Sequence, residues 1–329
     1  MKIILDNNNF NVLFLSIFLC IIAKKLQTMK TFECKRVLVA TDFSEASLKA
    51  VRQAAYISQK NNAILHLLHV VDKHYESFSI IDPLIFNKSF YDKFIDKATS
   101  KINELADNFS SEYQIKVYTH VSVGSISEEI LSMSKALHID LIVMGTHGYK
   151  PLESLIIGSN AYRVLSKSKI PVLVLSEGSE KTAITKILMP INTNVVSRYK
   201  VNYTLSMAKK FGADVSTLVV IGEGEEDEIA KMRVVIQQIE KEAEKLGVNI
   251  ESFLKNHVEN GVRTIIDFAK ENKNDLIVLM DEGDAQETGI FLSILSQQII
   301  HHSPVPVLSI YPEHLGIEPS SILSGASGI

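Results

Sequence analysis

Cysteine is scarce in this chain of 329 residues: Cys20 and Cys34 are the only two, and they form no CxxC pair. A disulfide framework and a thiolate zinc site are thereby excluded. The composition suits a reducing compartment, so a cytoplasmic location is expected. Basic excess is absent as well. Lys plus Arg number 34 against 38 Asp plus Glu, a formal net charge of −4. No nucleic-acid partner is expected, because such partners call for a basic patch. No apolar run is long enough to span a bilayer. The run VLFLSIFLCIIA, residues 12–23, has twelve residues, against about 20 for a spanning helix.

That run is preceded by one Lys and one Asp, followed by Lys24-Lys25, and lacks a small-residue cleavage site. Three readings stay open for residues 1–28: a weak membrane anchor, a poor signal peptide, or an extension outside the working protein. The last is preferred, with Met29 as an alternative start. Several catalytic signatures are also missing. No GxSxG elbow surrounds Ser166 or Ser168. No GK[ST] follows the glycine loop described below. His301 and His302 are adjacent, so they diverge on a helix and make a poor metal site. No general base or metal-ligand cluster stands out.

What is present is a regular alternation. Apolar residues make up 46% and charged residues 22%, as in a globular protein long enough for about two domains. RVLVAT (36–41) reads as a strand, with the helix caps Asp42 and Ser44 after it and a helix to Lys60. AILHLLHVV (63–71) is a second strand, in which His66 and His69 are expected to be buried and hydrogen-bonded. A long helix over 89–109 places Phe94, Ala98, Ile102 and Leu105 on its core face. IKVYTHV (115–121) is a third strand. Ser125 with Glu128 suggests a capping box opening a helix to Leu137. DLIVM (140–144) and IPVLVL (170–175) complete five strands. Such alternation predicts a doubly wound parallel sheet.

Between the last two strands lies GTHGYKPLESLIIGSN (145–160). Gly145 and Gly148 are separated by two residues, and Gly148 and Gly158 by nine. Glycine lets a ligand approach the main chain, and a helix starting near Ser159 offers free N–H groups and a dipole to an anion such as phosphate. In an open α/β sheet, ligands sit beyond the carboxyl ends of the strands at the switch in strand order. Those ends are Asp42, the region 69–71 and the region 144–148, which one ligand can touch together. His147 is read as a solvent-exposed loop residue.

The pattern then recurs. KILMP (186–190) answers RVLVA, DLIVLM (275–280) answers DLIVM, and SPVPVLSI (303–310) answers SKIPVLVL. The expected organisation is an apolar extension (1–28), a first domain (29–180), a second copy (181–312) and a loose tail (313–329). The second copy departs from the first at the ligand positions. Asn192 stands for Asp42, Met280 for Gly145, Ser293 for Gly158 and Ile294 for Ser159, while Gly283 keeps the place of Gly148. Asp281, Glu282 and Asp284 crowd the loop with charge that repels phosphate.

The spacing G-x2-G-x9-G-S from Gly145 to Ser159, the segment VLVATDFSEAS and the terminal IPVLVL resemble the universal stress protein family in tandem form, over about Lys35 to Ile310. The resemblance implies two tandem doubly wound parallel-sheet domains of Rossmann-like, adenine-nucleotide-binding type. It implies ATP as ligand, with Mg²⁺ held chiefly by the phosphates. Carried onto this sequence, Ala40, Thr41 and Asp42 would meet the adenosine and Val70 the adenine. Met144 and Gly145 would flank the ribose, and Gly148, Gly158, Ser159 and Asn160 would cradle the phosphates. The terminal strands would pair with each other, giving intrachain pairing of the two domains. A homodimer of whole chains and a protein partner are left open. The expected role is ATP-binding regulation in a stress response, with the second domain structural. A slow ATP hydrolase and a nucleotide-free scaffold are the alternatives. A relation to ligases that adenylate on a similar sheet is disfavoured, because TDFSEAS lacks their glycine-rich loop.

Overall fold

The computed structural model describes residues 30–72, 88–145, 158–175, 182–281 and 292–316. The first copy runs β1 (Arg36–Ala40), α1 (Glu45–Asn61), β2 (Ile64–Asp72), α2 (Lys88–Tyr113), β3 (Val117–Gly124), α3 (Ile126–Ala136), β4 (Leu141–Gly145), α4 (Ser159–Lys167) and β5 (Val172–Leu175). The second runs β6 (Lys186–Ile191), α5 (Val201–Phe211), β7 (Asp214–Gly222), α6 (Glu228–Leu246), β8 (Ile250–Val258), α7 (Gly261–Glu271), β9 (Leu276–Met280), α8 (Ile294–His302) and β10 (Val307–Ile310). All ten strands form one sheet in the order β3-β2-β1-β4-β5-β10-β9-β6-β7-β8. Within each copy every pairing is parallel, and β5 and β10 pair antiparallel, with Val307 opposite Val174 and Ser309 opposite Val172. The expected doubly wound parallel sheets are therefore present, joined edge to edge.

Central strands read as unbroken apolar runs because both of their faces are covered. In β1, Val37 and Val39 enter the core beneath α1, α2, α5 and α6, while Leu38 enters the core beneath α3, α4, α7 and α8. Each core crosses from one copy into the other. On one face the Phe32 and Tyr203 rings meet edge to face at 5.3 Å, and Phe32 N–H donates to Ser206 Oγ at 2.7 Å. Cys34 is buried in this layer. Burial, then the Asp140 charge, pushes its thiol up to about 12, against the pull of Lys210. On the other face Tyr311 donates its hydroxyl to the Leu165 carbonyl at 2.6 Å.

The repeated aspartate of DLIV has a structural job. Asp140 Oδ2 accepts from the Lys35 and Arg36 amides at 2.8 and 2.9 Å. Asp275 Oδ2 likewise accepts from the Thr185 and Lys186 amides at 2.9 and 3.0 Å, and also from the Thr185 hydroxyl. Each carboxylate ties the start of the fourth strand of its copy to the start of the first. A repeated serine acts similarly before the last strand. Ser168 accepts from Ile170 N–H and donates to the Ile170 carbonyl, as Ser303 does with Val305.

Several local expectations need correction. Phe94 is 51% exposed, whereas Ile102 is fully buried, so the core stripe of α2 begins after Phe94. Ser125 makes no side-chain cap bond. Glu129 instead folds back over Gly124, where an added Cβ would meet its Oε1 at 2.6 Å. In the second copy a 3-10 turn at Val195–Arg198 precedes α5. Pro312–Leu315 form a 3-10 turn with His314 and Leu315 buried, so the tail expected to be loose from 313 starts as packed chain. Among the described residues no helix is long and apolar enough to cross a membrane. The run at 12–23 lies outside them.

Two predictions follow from the buried polar groups. Asp275 is 5% exposed and serves three donors. Asp275→Ala is expected to cost about 2–3 kcal/mol in a urea titration, more than Asp140→Ala, whose donor Lys35 lies at the exposed rim. Three imidazoles titrate below their ordinary value of 6.5. His66 is pushed down to about 4 by burial, then by His120 and Arg36. His120 is lowered by burial, and His314 falls to about 3 through burial, then Lys30. Between about 6.5 and about 4 the unfolded chain binds protons that the folded chain does not. Stability is thus full above that window and lost as pH falls through it. The urea midpoint should drop from about pH 7.5 to about pH 5, and drop less in His66→Leu.

Candidate functional site

The order β3-β2-β1-β4-β5 reverses direction between β1 and β4, which opens a crevice at their carboxyl ends. Val39 pairs with Val143, so Ala40 and Thr41 run on beside Met144 and Gly145. Ala40 pairs with Leu68 on the other side, and Thr41 N–H donates to the Leu68 carbonyl at 2.8 Å. That brings Asp42 alongside Val70. Six predicted residues, Ala40, Thr41, Asp42, Val70, Met144 and Gly145, therefore share one strand-end rim. Gly148 and His147 lie outside the described residues.

The turn after β1 is closely tied. Thr41 is buried, and its hydroxyl accepts from Phe43 N–H and bonds to Ser47 Oγ, both at 3.0 Å. Its side chain thus shapes the turn. Ser44 is the N-cap of α1, accepting from Ser47 N–H at 3.2 Å. Asp42 braces that cap, its Oδ1 accepting from the Ser44 amide at 3.0 Å and the Ser44 hydroxyl at 2.5 Å. Asp42 itself is exposed at the rim. Phe43 holds φ at 65°, a left-handed conformation unusual for a bulky residue. His69 Nδ1 lies 2.9 Å from the Thr41 carbonyl oxygen. In the sequence His69 lies in the strand-end region 69–71 and Phe43 in the segment VLVATDFSEAS, but neither carried a signal for the role it takes in this turn.

The start of α4 carries no side-chain cap bond. Gly158 is its N-cap and supplies no side-chain bond, and Ser159 is exposed. Gly158 has φ −53° and ψ 140°, which any L-residue adopts. Backbone conformation therefore does not demand glycine here. The first N–H groups of a helix need partners from outside it, and no side chain of the N-cap supplies one.

The second copy solves the same problem with its own atoms. Ser293, the N-cap of α8, accepts from Ser296 N–H at 3.2 Å. The Ser293 amide in turn donates to the Asp281 carboxylate, at 3.1 Å to Oδ1. Asp281 is fully buried, so its charge faces a helix start and not solvent. Ile294 and Leu295, in the places of Ser159 and Asn160, are 67% and 43% exposed aliphatics. At the strand ends, Asn192 repeats the Asp42 turn by accepting from Asn194 N–H at 3.1 Å. Glu225 then reaches across, accepting from the Thr193 hydroxyl at 3.0 Å and the Gly222 amide at 2.9 Å. Glu282, Gly283 and Asp284 lie outside the described residues. No group of three or more His, Cys, Asp or Glu placed to hold a metal ion occurs among the described residues.

With this geometry in view, the comparisons with known proteins point to one family. The model of the Universal stress protein family matches residues 33–176 and again 183–310. A universal stress protein of Methanocaldococcus jannaschii is 32% identical over 153 residues, covering 43% of this chain and 94% of its own length. One of Bacillus subtilis is 29% identical over 144 residues, 43% of this chain and 97% of its own. The crystal structure of a universal stress protein from Archaeoglobus fulgidus covers 85% of this chain and 97% of its own, with a TM-score of 0.67 at 21% identity. The last likeness reports on fold.

The contrast between the two helix starts is measurable. Ser293→Ala is expected to lower stability by about 1 kcal/mol through loss of the cap on α8. Gly158→Ser, which adds a hydroxyl where α4 has none, is expected to raise it by a few tenths of a kcal/mol. Urea midpoints of the two variants check both signs.

Proposed function

The chain belongs to the universal stress protein family along both of its halves, and from that premise we propose that its first copy binds ATP as part of a stress-response regulatory protein. The observation that carries this reading is the uncapped start of α4 at the switch between β1 and β4. Its counterpart in the second copy is satisfied by Ser293 and Asp281. The second helix start already holds an anion, the Asp281 carboxylate, whereas the N-cap of the first supplies no side-chain bond.

In this reading the phosphates rest on the amides that open α4, with Ser159 and Asn160 beside them and Gly148 in the loop before. The absent Cβ of Gly158 admits a close approach. Met144 and Gly145 flank the ribose, Val70 lies against the adenine, and Ala40 to Asp42 line the adenosine. Mg²⁺ is held chiefly by the phosphates, keeping several of its waters. The residues present fit such a group: an open helix start, a rim of small and apolar side chains, and a carboxylate in Asp42. The second copy serves as the structural partner. There a phosphate would meet the Asp281 carboxylate already seated at the helix start and the Glu225 carboxylate across the strand ends.

Calorimetry with ATP is expected to give one site per chain; two equivalent sites would refute the assignment to the first copy. Gly158→Val should weaken ATP by at least about tenfold while the fold persists. Unchanged affinity in the folded variant would remove this loop from the site. Nucleotide released from the purified protein by denaturation separates the alternatives: ATP supports the regulatory reading, ADP with turnover a slow hydrolase, and nothing a scaffold.

A further inference from the structure

We infer that His69 is a positioning residue of the first copy's nucleotide site, acting through the turn Thr41–Phe43 that presents Asp42; this rests on the reading of that site given above. Nδ1 of His69 stands 2.9 Å from the Thr41 carbonyl oxygen. A carbonyl only accepts, so Nδ1 carries the proton and donates. The same ring lies against Phe43, with centroids 4.7 Å apart. On α2, Lys101 places its ammonium 4.3 Å from the Phe43 centroid, a favourable cation–π distance. His69 thus holds one end of the turn by a hydrogen bond and supports its middle by ring contact.

The turn needs holding. Phe43 at φ 65° is in a conformation that costs a bulky residue free energy and persists only when its surroundings over-determine it. Within the turn, Phe43 N–H donates to the Thr41 hydroxyl, and Asp42 folds onto Ser44. The carboxylate of Asp42 is set at the rim by these neighbours together. Asp42 follows Thr41 directly, so a rotation of the Thr41 peptide would move it away from the crevice between β1 and β4.

The second copy supplies the control. Ala40 pairs with Leu68 as Pro190 pairs with Leu218, so Val219 occupies the place of His69 and Thr193 that of Phe43. Thr193 is not among the residues with positive φ. Its turn is held by Glu225 across the strand ends, with no imidazole and no left-handed aromatic. The strained turn and its imidazole clamp occur together, in the copy whose helix start has no side-chain cap.

The test compares ATP and adenosine binding by calorimetry in the full chain, wild type against His69→Leu and His69→Asn. Asparagine keeps a donor near the position of Nδ1. His69→Leu is expected to weaken ATP and adenosine alike, by about tenfold each, because the clamp acts at the nucleoside end. His69→Asn should recover most of that loss. Gly158→Val, by contrast, should weaken ATP and spare adenosine. Wild-type protein that binds neither ligand would overturn the site and this inference together. Wild-type binding with His69→Leu unchanged, with a loss confined to ATP, or with no recovery in His69→Asn would overturn the inference alone. Should His69→Leu fail to fold, Phe43→Gly keeps the left-handed backbone accessible and removes the ring contact. Weakened adenosine binding there supports the clamp, and unchanged binding overturns it.

Discussion

The pairing of β5 with β10 is the constraint on which the rest of this molecule depends. Each copy, taken alone, would end in an edge strand whose side chains are buried and whose backbone groups on one side lack partners. Such an edge is a site of uncontrolled strand addition. Running the two terminal strands antiparallel removes both edges at once and makes one ten-stranded sheet. The two cores then become continuous across the joint, so Phe32 can pack on Tyr203 and Tyr311 can reach the Leu165 carbonyl. Strand pairing thus sets which surfaces the helices of both copies bury.

Duplication lets the two halves be compared atom by atom within one chain. What both retain is architecture. Asp140 and Asp275 clamp equivalent strand starts, and Ser168 and Ser303 close equivalent turns. What differs is concentrated at the carboxyl ends of the strands. Gly158 caps its helix with no side chain where Ser293 and Asp281 both bond at the start of theirs. A strained turn around Phe43, braced by His69, faces a relaxed turn around Thr193, braced by Glu225. Backbone strain costs free energy, and natural chains keep it chiefly where a ligand or a mechanism uses it. The strained turn and the helix start without a side-chain cap occur together in the first copy and not in the second, and this contrast is the physical basis for the proposal that the first half holds the nucleotide.

Much of the fold was legible because its signals are local and redundant. Apolar runs such as RVLVA and DLIVM read as strands buried on both faces, and their repetition after Lys186 revealed the second domain. The candidate site was legible at Gly145, Gly158 and Asp42, which lie at a strand end, at a helix start and in the turn after β1. The register of the first copy brings Ala40, Thr41, Asp42, Val70, Met144 and Gly145 to one rim. Other features were hidden. Phe94 matched the helical period of α2 yet is exposed, because periodicity does not say where a helix leaves the core. Ser125 and Glu128 matched a capping box that the chain does not form, since Glu129 folds back over Gly124.

The sequence by itself determined the element order, the duplication and the residues that converge at the strand ends, because each depends on neighbours in the chain or on a repeat within it. Tertiary structure decided the rest. The left-handed backbone of Phe43, the hydrogen bond from His69 to Thr41, and the Asp281 carboxylate seated at the start of α8 join residues brought together by sheet register. No propensity or spacing encodes such contacts. A histidine in a strand and an aspartate in a loop look the same in sequence whether they hold a turn, cap a helix or face solvent. What separates these roles is the unpaired donor or acceptor that the folded chain sets beside them.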